Sequence, residues 1–195
     1  MRKPAAVNEG HIWCGSDEWR AHVREISIPW ALGERDLGDD VLEVGPGYGA
    51  TTDVFRERAR RLTAIEIDPA LAAALVERFE GTNVTVVEGD ATSLEFEDGR
   101  FTGTACFHML HHVPSIELQD QIFAEAARVL QPGGLFVASD ALYSAEVEKF
   151  HEGDTYLPVD PSTIEERFAR SGFDYVEIDV LAERSSWAAR ARAKG

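Results

Sequence analysis

Two cysteines, two methionines and 19 basic side chains against 35 acids are the scarcest features of this 195-residue chain. Cys14 and Cys106 lie far apart with no second pair at ligand spacing, which excludes a disulfide framework and a cysteine zinc site; Cys106 reads as buried in a strand. No apolar run approaches the roughly 18 residues that cross a bilayer, so no membrane insertion is expected. The basic residues at Arg2 and Lys3 have no apolar stretch behind them, unlike a secretory signal, and a cytoplasmic location is the expectation. The shortage of Lys and Arg leaves a formal charge of −16. Nucleic-acid binding draws most of its affinity from cations that neutralise phosphates. The charge therefore predicts that RNA is repelled, with a small molecule or a basic protein as partner and no nucleic acid. The run Arg56-Glu57-Arg58-Ala59-Arg60-Arg61 reads as a solvated helical face.

What is present is an ordinary apolar share of 44%, enough for one core at this length. Short β-rich runs alternate with helical stripes, the pattern of an α/β, Rossmann-like, doubly wound sheet with helices on both faces. Strands are expected at 41–44, 62–67, 84–88, 103–107, 135–139 and 175–181, with a last, weakly patterned one at 186–192; the sheet is expected to be mostly parallel with an antiparallel strand near the C-terminus. Leu71, Leu75 and Phe79 recur every four residues in a helix that Asp68 caps and Pro69 opens. A longer helix near 115–130 carries Leu118, Ile122, Phe123, Ala126 and Val129 on one face and stops at Gln131-Pro-Gly-Gly134. Ser162-Thr-Ile-Glu165 reads as a capping box. One domain is expected over 1–195, with 1–38 as a helical cap, 39–140 as the cofactor-binding core and 141–195 as a substrate-side segment with a C-terminal helix and strands.

The first strand runs Val41-Leu-Glu43-Val-Gly45 into a turn containing Gly45, Gly47 and Gly49, where missing side chains let a ligand approach the backbone. A helix N-terminus follows, which suits a polar or anionic group. The turn also satisfies the dinucleotide pattern, with Glu66 about twenty residues on as the ribose acid, so it admits both NAD and S-adenosylmethionine. Three features separate them. Glu43 would repel a pyrophosphate but suits the ammonium of a methionine moiety. Asp90, past the third strand, can accept from an adenine amino group. Fewer than 60 residues follow Ser139, too few for the substrate domain of most dehydrogenases.

From about Asp40 to Leu181 the chain resembles the class I S-adenosylmethionine-dependent methyltransferases. Val41-Leu-Glu43-Val-Gly45-Pro-Gly47-Tyr-Gly49 is similar to the family's first motif, Leu62-Thr-Ala-Ile-Glu66-Ile67-Asp-Pro to its second, and Val87-Glu-Gly-Asp90-Ala91 to its adenine motif; Arg128-Val-Leu-Gln-Pro-Gly-Gly-Leu-Phe-Val137 resembles the fifth-strand approach of small-molecule members. The resemblance implies that Gly45 and Gly47 bring backbone against the methionine portion, with Glu43 near its amino group. Glu66 would take both ribose hydroxyls, Ile67 would pack on adenine, Asp90 and the Ala91 amide would read the adenine edge, and the backbone at Phe107 would face the amine. Where many relatives have Phe-Asp at the start of the fourth strand, this chain has Phe101-Thr102.

The implied reaction is methyl transfer to a nucleophilic O, N or C atom of a small-molecule acceptor. Alternatives are a non-catalytic protein that binds S-adenosylmethionine or S-adenosylhomocysteine, or an NAD-binding oxidoreductase. Past the fourth strand, His108 and His112 are candidates for a general base, and Asp140 for orienting an acceptor, against the plainer readings of loop packing and capping. No acid stands at ligand spacing near these histidines, so no metal is expected. Trp13, Trp19, Trp30 and Tyr143 are either walls over the acceptor or core residues, and Tyr48 either touches the cofactor or starts the helix.

Overall fold

The computed structural model describes residues 9–195, so the first eight positions of the expected cap lie outside the described residues. Seven strands form one sheet in the order β3-β2-β1-β4-β5-β7-β6. They are β1 (Asp40–Val44), β2 (Arg61–Glu66), β3 (Val84–Glu88), β4 (Phe101–Phe107), β5 (Leu130–Ala141), β6 (Phe173–Leu181) and β7 (Ser186–Ala193). Strands β1 to β5 pair in parallel, while β7 runs antiparallel between β5 and β6. The expected antiparallel strand near the C-terminus is β7, which runs against both of its neighbours.

The buried strands carry apolar side chains on both faces, as parallel strands do when helices cover both sides. On one face Val41, Phe107 and Val137 pack with Val54 and Phe55 of α3 (Ala50–Arg58), with Ile28 and Leu32 of α2 (Ile28–Leu32), and with Val23 of the π-helical turn that joins α1 (Asp17–His22) to α2. On the other, Leu42, Phe136, Phe173 and Trp187 meet Phe123 of α5 (Ile116–Val129) and Phe168 of α7 (Ile164–Ser171). Between α3 and β3, α4 (Pro69–Arg78) is capped by Asp68, whose Oδ1 accepts from the amides of Ala70 and Leu71 at 2.8 and 3.0 Å. Ser115 caps α5 through the Leu118 amide. Between the end of α5 and the main run of β5, Phe101 pairs with Leu130 and Gly103 with Leu135, so Gln131-Pro-Gly-Gly134 bulges out of the ladder.

The capping box expected at Ser162 does not form. Asp160 takes that role, accepting from the Ser162 amide at 2.9 Å and its hydroxyl at 2.8 Å. The turn Pro161–Thr163 leads into α7 without a side-chain cap at Thr163. A short helix α6 (Ala145–Phe150), capped by Ser144, adds to the segment 141–161, for which the sequence showed acids and aromatics but no apolar period.

Both segments outside the alternation are tied to the sheet and to its loops. Buried Arg190 of β7 donates to the carbonyls of Trp30 and Ala31 and pairs with Asp179 at 2.6 Å, holding the C-terminus of α2 on the sheet. Asp53 of α3 pairs with Arg20 of α1 at 2.8 Å and with Arg78 of α4. The Leu157 amide donates to the His111 carbonyl at 2.7 Å, and Gln119 Nε2 bridges the carbonyls of Leu110 and Leu157. Thr102, the departure from the family pattern, donates to the Leu37 carbonyl and accepts from the Asp40 amide, fastening the approach to β1. None of the described helices is long and apolar enough to cross a membrane.

Candidate functional site

The turn after β1 is shaped by glycines at positive φ. Gly45 has φ +68° and packs so closely that an added Cβ would meet Met109 at 2.9 Å; Gly49 has φ +77° and would meet Leu75 at 2.8 Å. Both conformations and both spaces therefore require glycine. Gly47 is different, because nothing lies within 4 Å of where its Cβ would stand. It borders a cavity of about 480 Å³, within the usual range for a small-molecule site.

That cavity gathers residues from the ends of β1, β2, β3 and β4. Gly45, Gly47, Glu66, Ile67, Asp90, Ala91 and Phe107 all line it, together with Tyr48, Trp19 and the candidate bases His108 and His112. Glu66 is 5% exposed, with Oε2 accepting from the Gly47 amide and Oε1 from the Asp68 amide, each at 3.0 Å. Burial raises its pKa despite those amides. Each oxygen keeps a further lone pair for a hydroxyl donor. Ile67 stands 47% exposed at the rim, an apolar face suited to a flat ring. Asp90 is exposed, and its Oδ1 accepts from the Thr92 amide and hydroxyl, a turn role that leaves Oδ2 for a ligand. This donor and acceptor set fits S-adenosylmethionine: glycine backbone at one end, a ribose-sized acid in the middle, an apolar rim and a second acid at the other.

Glu43 and Gly49 do not line the cavity. Strand alternation sends Glu43 to the same face as Val41, beneath α3, where it is 2% exposed and takes the hydroxyls of Thr51 and Thr52, the latter at 2.7 Å. Thr51 does line the cavity, so Glu43 stands one residue behind the wall. Gly49 serves as the left-handed N-cap of α3.

Burial pushes the Glu43 carboxyl up to about 7, against the two hydroxyls that favour its charge. Its ordinary value is 4.5, so between about pH 4.5 and 7 the folded chain holds a proton that the unfolded chain has released. Stability falls as pH rises through that window and stays lowered above it. Glu43→Gln is therefore expected to leave stability unchanged near pH 4 and to raise it by about 2–4 kcal/mol near pH 8. Urea unfolding of both proteins at the two pH values measures the difference.

Asp140 also stands off the cavity, fully buried at the end of β5. Its Oδ1 lies 2.6 Å from His111 Nδ1 and accepts from the Ala141 amide at 2.7 Å, while Oδ2 accepts from the His111 amide at 3.1 Å. An acceptor-orienting role gives way to an anchoring one. Burial pulls the His111 imidazole down, but the Asp140 carboxylate outweighs it and leaves His111 above its ordinary value; Asp140 itself is lowered, its own burial cost outweighed by His111.

His108 has φ +53°, unusual for a residue with a Cβ, and donates its amide to the Ser139 carbonyl at 2.8 Å. Burial pushes its ring down to about 4, and Nε2 is buried with no hydrogen-bond partner. Burial, with His111 and His11 nearby, lowers His112 to about 3. Both rings are neutral at physiological pH. Trp19 stands edge-on to His108 at 5.0 Å and forms the wall expected of it, whereas Trp30 packs in the core and Trp13 and Tyr143 are mostly exposed. The fold also brings His11, His151 and Asp154 beside His112. The ground for excluding a metal, local spacing along the chain, could not detect that grouping.

The methyltransferase-domain family matches residues 42–138. A probable ribosomal RNA small subunit methyltransferase A from Methanothermobacter thermautotrophicus is 47% identical over 78 residues, covering 39% of this chain and 29% of that protein. The chain spans only 22–37% of the length of the curated relatives it matches. Among solved structures, a methyltransferase of Haloferax volcanii in complex with the Trm112 methyltransferase activator superposes with a TM-score of 0.75 at 16% identity, covering 97% of this chain and all of that one. An S-adenosylmethionine-dependent methyltransferase from Archaeoglobus fulgidus gives 0.72 at 18%, covering 93% and 96%.

These relatives overturn the expectation that nucleic acid is excluded, because proteins named for ribosomal RNA share this core. The physical fault lies in using a whole-chain charge for a local question. Stacking of a base on aromatic side chains is a local interaction that net charge does not set. Over residues 42–138 the chain carries a methyltransferase-domain core, and its strand order and its cavity at the carboxyl edge accord with that match.

Proposed function

We propose that the chain transfers the methyl group of S-adenosylmethionine to a nucleophilic O, N or C atom presented in the cavity between Gly47 and Trp19. The observation that carries this reading is the convergence of Gly45, Gly47, Glu66, Ile67 and Asp90 on one cavity that continues past Phe107 to His108. When bound, S-adenosylmethionine supplies a methyl group activated by its sulfonium, and S-adenosylhomocysteine is the other product. Glu66 holds the ribose hydroxyls, Ile67 and Asp90 hold the adenine, and the Gly45–Gly47 backbone receives the methionine end. Glu43 acts through Thr51. Positioning and exclusion of water are the main contributions asked of the protein. Where the acceptor must lose a proton, His108 Nε2, neutral and unpartnered, is the atom that takes it.

Two acceptor classes have separate support. A small molecule suits a cavity roofed by Trp19 and by residues 154–155. An unstacked RNA base is favoured by the ribosomal RNA methyltransferases among the relatives. Transfer of radiolabelled methyl from S-adenosylmethionine, with small phenols, amines and carbon acids in one arm and ribosomal RNA in the other, distinguishes them. In parallel, thermal stability is measured with S-adenosylhomocysteine and with NAD. The expected result is stabilisation by S-adenosylhomocysteine and label in one arm. Stabilisation by NAD alone overturns the reading.

A further inference from the structure

Four imidazole rings meet behind the loop after β4. Ring centroids lie 4.8 Å apart for His11 and His112, 4.9 Å for His11 and His151, and 5.2 Å for His112 and His151. His111 stands against two of them, at 4.1 Å from His112 and 4.8 Å from His151. His111 is committed to Asp140. One ring nitrogen from each of His11, His112 and His151 lies within 4.8 Å of the others. Around an ion held at about 2.0–2.1 Å, tetrahedral donors stand roughly 3.4 Å apart, so small side-chain rotations suffice to converge them.

Two further observations point to a cation. His151 Nδ1 lies 2.6 Å from the Val147 carbonyl, which only accepts, so the proton is on Nδ1 and Nε2 carries the lone pair. That Nε2 is buried and has no hydrogen-bond partner. Asp154, with 1% of its side chain exposed, has Oδ2 without a hydrogen-bond partner at 3.7 Å from Nδ1 of both His11 and His112. A buried carboxylate oxygen with no hydrogen-bond partner is costly unless a positive charge joins it.

We propose that His11, His112 and His151, with Asp154 as fourth donor, bind a divalent transition-metal ion of the zinc class. Imidazole donors suit zinc and its neighbours, whereas magnesium and calcium take oxygen donors. The donors come from the segment before α1, the loop after β4 and the segment around α6. The ion therefore clips both covering segments onto the wall of the cavity, to which His11, His112 and Asp154 contribute. The site stands on its own residues and is independent of whether S-adenosylmethionine binds.

The test uses the full chain without a histidine tag, stripped by chelator. Calorimetric titration with zinc near neutral pH is expected to show one ion per chain, and zinc to raise Tm where magnesium does not. His151→Ala and Asp154→Asn should each weaken zinc binding by at least about tenfold, with His22→Ala as an unaffected control. Cobalt bound to the natural chain should show the intense visible absorption of a four-coordinate site, a readout that does not depend on any variant folding. The proposal is overturned by absence of saturable zinc binding, by unchanged affinity in both variants, or by the weak spectrum of six-coordinate cobalt. S-adenosylhomocysteine binding measured on the same stripped sample reports separately on the methyltransferase reading.

Discussion

Asp140→Ala is expected to lower the stability of the chain by about 3–5 kcal/mol, the range for breaking a buried charge pair by removing one partner. The carboxylate is fully buried and gathers three donors: the His111 ring, the His111 amide and the Ala141 amide. Alanine leaves all three facing apolar surroundings, since Cys106 of the adjacent β4 and Ala138 of the same strand are also buried. The damage should be directional. Asp140 joins the end of β5 to the start of the histidine loop, so its loss frees the segment that carries His111 and His112 along the cavity wall. Asp140→Asn keeps an oxygen for one amide but removes the charge, and should cost less, about 1–3 kcal/mol. Urea denaturation of the three proteins measures the order. Equal costs for the two variants would show that the charge alone is the anchor, and a cost for Asp140→Ala within the roughly 0.5 kcal/mol of a surface substitution would show that neither the charge nor the amide bonds anchor the loop.

The parts of the fold legible in the sequence are those where one local pattern decides. The run from Val41 to Gly45, the four-residue recurrence of Leu71, Leu75 and Phe79, and the Asp68-Pro69 start each need only neighbours along the chain to be read. The cavity residues Glu66, Ile67 and Asp90 were legible for the same reason: each follows a strand end, and in a parallel sheet strand ends share one edge. Glu43 was misplaced because its charge was matched to a ligand before its register was considered. Alternation from Val41 already directs it under the helix that begins Ala50-Thr51-Thr52, and two hydroxyls there were a signal of a buried carboxylate. Ser162 was read as a cap because the pattern fits; Asp160, two residues earlier, is the better acceptor ahead of Pro161. The histidine grouping was not legible at all. His11, His112 and His151 are brought together by the folding of both covers, and no spacing along the chain encodes that contact. Net charge failed in the opposite way, as a global sum with no position.

Glu66→Ala is expected to weaken S-adenosylhomocysteine binding by about 10–100-fold, and Asp90→Ala by less. A charge-assisted hydrogen bond contributes about 1.5–3 kcal/mol, and each 1.4 kcal/mol is a factor of ten in affinity. Glu66 is 5% exposed, so water cannot replace the carboxylate when it is removed, and the Gly47 and Asp68 amides lose their acceptor with it. Asp90 is exposed, and the Thr92 contacts it makes are those of a turn that water can partly satisfy. Loss of affinity must be separated from loss of fold. The Glu66 carboxyl has a raised pKa because burial disfavours its charge, so removing it relieves a cost in the ligand-free chain even as it strips two amides. Folding stability should therefore change much less than affinity. Calorimetry with S-adenosylhomocysteine, paired with urea unfolding of the ligand-free proteins, gives both quantities. If Glu66→Ala binds as tightly as the natural chain while Asp90→Ala does not, the ribose is not held at the end of β2 and the cofactor lies across the cavity in another direction.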